Sequence, residues 1–325
     1  MRIRFLSLSF LLLHCLARSA WAGNPDANVA VEGQVVMGTI LEVMVTARPS
    51  EDARRLAREA IAIAHHWDEV LSPFLPHSEL RRLHTFQGVP IFASDDLRAA
   101  LMWAGELAVE TRGAFDPAFP SAPWLRSNGR GSPPTFWNSV EFRGAGVRIH
   151  SGATIDPGAF GKGLALDAIL AWMRYRGATE VFLNFGGSSF AREARGEAAR
   201  SARRVMLPGV DGRPLGIVEL RSGSLSVSAA GAREGAISIV DPRSGQALPP
   251  GRMAAAWAKE ATVADAWSTA LVVDGTPGLR AAEQQGVEGL VVENGSVQTT
   301  RSFPLAACTA SCWPPHESFS PEHPS

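Results

Sequence analysis

The hydrophobic pattern changes period along the chain, and the changes mark its elements. Residues 33–47, GQVVMGTILEVMVTA, place apolar side chains at every second position on both sides of Met37-Gly38, which predicts a pair of strands. Leu56, Ala60, Ala64, Trp67 and Leu71 then recur at three- and four-residue steps. That spacing predicts an amphipathic helix from a Ser50 cap to about Leu71, with Glu51 and Asp52 in its first turn. SPFLPHSELRRLH follows as a loop, and Ser94 caps a second helix that ends near Gly113. Residues 117–134, rich in Pro, Gly and Ser, read as loop.

In the second half, VRIH (147–150) reads as a short strand, and a helix runs from Lys162 to about Arg176, where Gly177 ends it. EVFLNFGG (180–187) is an apolar strand closed by two glycines, and strand-like runs follow at 203–207, 216–221, 224–229 and 236–240. TVADAWSTALVVDG (262–275) reads as a helix, followed by a shorter helix and a hairpin that turns at Asn294-Gly295. Helices and strands mix without strict alternation, which points to an α+β class with mixed or antiparallel sheets flanked by helices.

Composition narrows this picture. A chain of 325 residues, 46% of them hydrophobic, can bury a sizeable core. Its net charge of −1 gives no electrostatic case for nucleic acid. Residues 1–22 pair a positive start with a short apolar run and Ala20-Trp21-Ala22, a small-x-small cleavage site, so a signal peptide and a periplasmic protein are expected. The alternative is a lipid anchor on Cys15, against which bulky His14 counts. The mature domain is then 23–303, with a disordered tail at 304–325 whose Cys308 and Cys312 could pair or stay free.

Two stretches could carry chemistry. IDPGAFGKGLALD (155–167) holds Lys162, one of only two lysines among 31 basic residues. It fails the phosphate-loop pattern, because Asp156 replaces the first glycine and Gly163 replaces the final Ser or Thr. Its glycines would nevertheless let a ligand approach the backbone, and a helix start with a lysine favours anions. The plainer reading is a surface lysine beside a tight turn. In ATVADAWSTA, Asp265 and Thr269 lie four apart on one helix face, two hard oxygen donors that suit Mg²⁺ or Ca²⁺. An acid stabilised by the helix dipole beside an ordinary threonine explains the pair equally well. His65 and His66 read as packing or surface residues on their helix.

Taken in order, MGT (37–39), SPF…SELRRL (72–83), GAFDP (113–117), IDPGAFGKGLALD (155–167), FLNFGG (182–187), IVDPRSG (239–245) and VADAWSTAL (263–271) resemble the ApbE family of FAD:protein FMN transferases. The resemblance spans about Gly33 to Ser302 and implies an ApbE-like fold. It implies an enzyme that uses FAD and Mg²⁺ to move FMN onto a Ser or Thr hydroxyl of an acceptor redox protein, releasing AMP. Met37, Phe74, Ala114, Phe115, Asp116, Asp156, Lys162 and Ile239 would then bind the flavin nucleotide. The Ala159 carbonyl, Asp265 and Thr269 would hold the metal, with Asp265 the catalytic ligand, and any membrane association would come through a partner or the Cys15 anchor.

The chain also departs from the family pattern. Phe74 stands for a usual tyrosine, Ser188 for an aspartate, Ala229-Ala230 for Thr-Ser, and Ser238 for a histidine. Those losses keep two alternatives open: an FAD-binding protein without transferase activity, and an FAD pyrophosphatase.

Overall fold

The computed structural model describes residues 28–48, 52–119, 135–209, 214–231 and 239–306. The signal peptide, Cys15, Ser50, Ser238, Cys308 and Cys312 lie outside them. Strands β1 (Asn28–Val36) and β2 (Thr39–Ala47) form the expected hairpin. Met37 and Gly38 make its two-residue turn at φ of 50° and 76°, the left-handed pair that matches strand twist. Helix α1 (Ala53–Leu71) starts one residue after Asp52, whose side chain accepts from the Arg54 amide. Asp52 is therefore the cap rather than a first-turn residue.

The segment expected as loop after α1 contains helix α2 (Glu79–Thr85). Ser78 caps it by accepting from the Arg81 amide, and Leu80 and Leu83 are its buried face. Its seven residues, about two turns, were too few for its periodicity to stand out. A two-residue strand β3 (Ile91–Phe92) and helix α3 (Asp95–Glu110), capped by Ser94 as expected, come next. The short helix α4 (Phe136–Ser139) leads into hairpin β4 (Val140–Arg143) and β5 (Gly146–Ile149).

A tight turn at Pro157–Ala159 opens helix α5 (Gly161–Arg176), which Gly177 ends in the left-handed conformation. Strands β6 (Glu180–Phe185), β7 (Ser189–Ala194), β8 (Arg203–Pro208), β9 (Pro214–Leu220), β10 (Gly223–Ala229) and β11 (Met253–Ala258) follow. Helices α6 (Ala261–Asp274) and α7 (Gly278–Gln284), then strands β12 (Glu288–Glu293), β13 (Ser296–Thr299) and β14 (Leu305–Ala306), complete the chain. Of the strand expected at 236–240, residues 236–238 lie outside the described residues; Ile239 accepts from the Leu248 amide at 2.8 Å and Val240 bridges to Ala247. Strand β14 pairs with β9, so ordered structure continues past the 303/304 boundary read from the sequence.

The α+β class holds, and every strand pairing among the described residues is antiparallel. The large sheet has the order β1-β2-β6-β7-β10-β11-β12-β13. Its inner face carries Leu41, Val43, Leu183 and Ala191 under α1 and α5, and Ala254, Ala256 and Ala258 under α6. Its other face, with Phe190, Leu225 and Leu290, packs on Val205, Leu207, Val218 and Leu220 of the β14-β9-β8 sheet. Alanines along β11 let α6 lie close to the sheet, and α6 is buried on nearly all sides, with Trp267 fully enclosed.

Candidate functional site

The site lies where α5, α6 and the inner face of β7 and β10 converge. Two turns are tied together at its edge. The Asp156 amide donates to the Pro117 carbonyl at 2.8 Å, and Phe115 meets Phe160 edge to face with centroids 6.2 Å apart. These contacts set the GAFDP and IDPGAF turns side by side. Thr111 at the end of α3 locks the first turn, with its hydroxyl accepting from the Phe115 amide and donating to the Leu107 carbonyl. His84 anchors the second, where Nε2 accepts from the Ile155 amide at 3.1 Å.

Ala114, Phe115, Asp116, Pro117, Phe119, Asp156, Ala159, Val240, Pro242 and Thr269 line one small, open cleft. Six of the residues singled out in the sequence therefore share a wall. Asp116 offers its oxygens inward, to the Ala118 and Phe136 amides at 2.8 and 3.1 Å. Burial holds its pKa above the usual carboxylate value, with those amides opposing only part of the rise. Met37, Phe74 and Ile239 do not line this cleft. Met37 packs its methyl against Gly161 beside Lys162, Phe74 is 68% exposed in the loop after α1, and Ile239 sits next to the lining Val240.

Asp265 is the centre of the polar network. It is 3% exposed, on the second turn of α6. Its Oδ1 accepts from Ser226 Oγ at 2.8 Å and Ser189 Oγ at 3.3 Å, and its Oδ2 accepts from the Gly163 amide at 3.2 Å. Lys162 Nζ stands 3.8 Å from Oδ1 and 3.5 Å from the Gly158 carbonyl. The lysine and the acid are thus direct neighbours. One turn further along α6, Thr269 Oγ1 lies 3.2 Å from Ser228 Oγ, which is 2.8 Å from Ser268 Oγ.

Sequence reasoning missed these hydroxyls. Ser224, Ser226 and Ser228 alternate along β10 and point to the helix side, while Leu225 faces the opposite core. The S-x-S-x-S run at 224–228 was the available signal, a polar stripe on what should be a buried strand face.

The glycines of IDPGAFGKG also play a different part from the one expected. A methyl on Gly163 would lie 2.5 Å from Thr262 Cα and 2.6 Å from the Ala261 carbonyl oxygen. One on Gly161 would meet Met37 and Pro157 at 3.3 Å, and one on Gly158 would meet Asp156 Oδ1 at 3.0 Å. Gly161 and Gly163 serve helix packing, not ligand approach. Asp167, inside the same motif, accepts from the Ala261 and Thr262 amides at the start of α6. Burial raises its pKa, against the Thr262 and Ala261 hydrogen bonds.

The donors fit a hard cation. Asp265 supplies a buried carboxylate and Thr269 a hydroxyl, and Thr269 and Ala159 line the cleft. An ammonium already rests against that carboxylate, so the spot accepts positive charge. Among the described residues no three His, Cys, Asp or Glu side chains group as a metal site. A cation here would be held by one carboxylate and neutral oxygens.

Fold and site together define an α+β protein in which a lysine and a buried, hydrogen-bonded carboxylate meet near one cleft. The model of the ApbE family matches residues 37–291, more than half of the chain, and the chain belongs to that family. Solved structures share its fold. A flavin transferase ApbE from Vibrio cholerae aligns with a TM-score of 0.72 at 19% identity, covering 85% of this chain and 98% of that one. The apo flavinyl transferase ApbE of Pseudomonas stutzeri aligns at 0.70 and 22% identity, covering 84% and 95%. The ApbE protein of Thermotoga maritima aligns at 0.74 and 19%, covering 84% and 97%. No curated protein matches the chain.

Proposed function

We propose that this protein is a Mg²⁺-dependent FAD:protein FMN transferase, which moves FMN from FAD to a Ser or Thr hydroxyl of an acceptor redox protein and releases AMP. The observation that carries this reading is the adjacency of Lys162 and Asp265, 3.8 Å apart at the mouth of the motif turns. Family membership and the flavin transferases of similar fold support it. In this reading Lys162 holds a pyrophosphate oxygen as a mobile point charge. Asp265, Thr269 and the Ala159 carbonyl hold Mg²⁺, which supplies neutralisation of charge as the phosphoanhydride opens. Ala114, Phe115, Asp116 and Asp156 would contact FAD along the cleft, and Met37, Phe74 and Ile239 would contact it from outside the cleft.

The acceptor oxygen attacks the phosphorus on the FMN side, the bond to AMP breaks, and the hydroxyl proton passes to solvent. Such a transfer depends mainly on positioning and electrostatics, which a buried, hydrogen-bonded carboxylate and a fixed turn provide. The N-terminal sequence supports action after export, in the periplasm or at a membrane through a partner or a Cys15 lipid anchor. Among the described residues no helix is long and apolar enough to cross a membrane.

A second reading has its own observation. Ala229 and Ala230 lack the hydroxyls usual at those positions, which favours a protein that binds FAD and leaves it intact. One assay separates the readings. Mature protein, FAD, Mg²⁺ and an acceptor domain of known flavinylation yield flavin-labelled acceptor and AMP if the proposal holds. Intact FAD selects binding alone, and FMN plus AMP without an acceptor selects a pyrophosphatase. Asp265→Ala should abolish the metal-dependent product while the protein stays folded.

A further inference from the structure

We infer that Lys162 competes with the divalent cation for Asp265, so that metal and dinucleotide enter the site together. This rests on the proposed metal-and-dinucleotide reading. The carboxylate is nearly inaccessible, and its charge is offset within the protein by two serine hydroxyls, one backbone amide and the Lys162 ammonium. A buried carboxylate with no cation beside it is costly, so the ammonium on its flexible stem acts as a resident counter-ion.

A divalent ion that takes Oδ1 places two cationic centres at one oxygen. The ammonium must then move away, giving up both Asp265 and the Gly158 carbonyl. Without a second anion that step loses its attraction and gains repulsion. A pyrophosphate supplies the missing anion: it receives the ammonium and lends its own oxygens to the metal, as hard-cation sites with few carboxylates require. Each ligand therefore raises the affinity of the other, by the same factor in both directions. The serine hydroxyls on Oδ1 are neutral and do not exclude the metal, so among the described residues the competing charge at Asp265 is that of Lys162.

The test uses Mn²⁺ alone, with no nucleotide, titrated into the full mature protein and followed by the electron spin resonance of free Mn²⁺. Lys162→Met removes the resident cation and should bind Mn²⁺ about tenfold more tightly than the unmodified chain. Lys162→Arg, which keeps a cation, should stay near the unmodified affinity. Unfolding midpoints confirm that each variant is folded. If Lys162→Met binds Mn²⁺ no more tightly than the unmodified chain, the competition does not exist. If Asp265→Ala leaves Mn²⁺ binding unchanged, or no variant binds Mn²⁺, the metal reading itself fails, and this inference with it. Binding that Asp265→Ala removes but Lys162→Met does not alter spares the metal site and overturns only the coupling.

Discussion

The carboxylate of Asp167, on α5, closes the first turn of α6: Oδ2 accepts from Thr262 N at 2.8 Å and Thr262 Oγ1 at 2.6 Å, and Oδ1 accepts from Ala261 N at 2.7 Å. The amides at a helix start have no partner within their own helix, and here a neighbouring helix supplies one. The helix that carries Asp265 and Thr269 is thereby fixed to the helix that carries Lys162. Asp167→Ala should lower the unfolding free energy by about 2–3 kcal/mol, because it strands buried donors. Urea denaturation would show this as a lower midpoint; an unchanged midpoint would refute the capping role.

Gly163→Ala tests how closely the two helices must approach. The added methyl meets backbone atoms of Thr262 and Ala261, which cannot rotate away. A loss of about 1–3 kcal/mol is expected, the cost of overpacking a tight contact. The same shift would move the Gly163 amide off Asp265 Oδ2, so Mn²⁺ affinity should fall as well. Full stability with unaltered Mn²⁺ binding would show that the helices have room to separate.

Ser226→Ala separates orientation from folding. Its hydroxyl donates to Asp265 Oδ1, and outer partners of this kind typically hold a ligand in place. Mn²⁺ affinity should drop about tenfold with little change in melting. Ser224→Ala is the internal control on the same strand. Among the described residues the Ser224 hydroxyl is buried without a partner, so its loss should be neutral or stabilising and should leave Mn²⁺ binding alone. Equal effects from the two variants would contradict the assignment.

His84 gives the protein an acid-side weakness. Burial, with the Arg81 charge a smaller contributor, lowers its pKa from 6.5 to about 4. The neutral ring accepts from the Ile155 amide, next to Asp156. Between pH 6.5 and 4 the unfolded chain binds a proton that the folded chain refuses. The contribution is therefore complete above pH 6.5 and is lost as pH falls toward 4, about 3 kcal/mol across the window. His84→Gln, which keeps a hydrogen-bond acceptor, should flatten that part of the stability–pH curve when urea midpoints are compared at pH 7.5 and about pH 4.5. A variant with the same slope as the unmodified chain would assign the acid sensitivity elsewhere.

Most long elements were legible because a repeating period is a local property. The hairpin at Met37-Gly38, the Ser94 cap, the Gly177 stop and the Asn294-Gly295 turn each follow from a few adjacent residues. Helix α2 was missed because its two buried leucines are too few to set a period. The cap of α1 was displaced by two residues because Ser50 and Asp52 satisfy the same local rule, and Asp52 is the one that meets the Arg54 amide.

The amino-acid order by itself determined which residues could do chemistry. A lone lysine among glycines and an Asp/Thr pair on one helix face are facts of spacing. Contact between them was decided by the tertiary structure, since Lys162 and Asp265 meet only because α5 and α6 cross at Gly163. Backbone hydrogen bonding and side-chain period act over a few residues, whereas the serine ladder around Asp265 joins β7, β10 and α6 through the order of strands in the sheet. Long-range packing sets that order, and no short stretch of the chain encodes it.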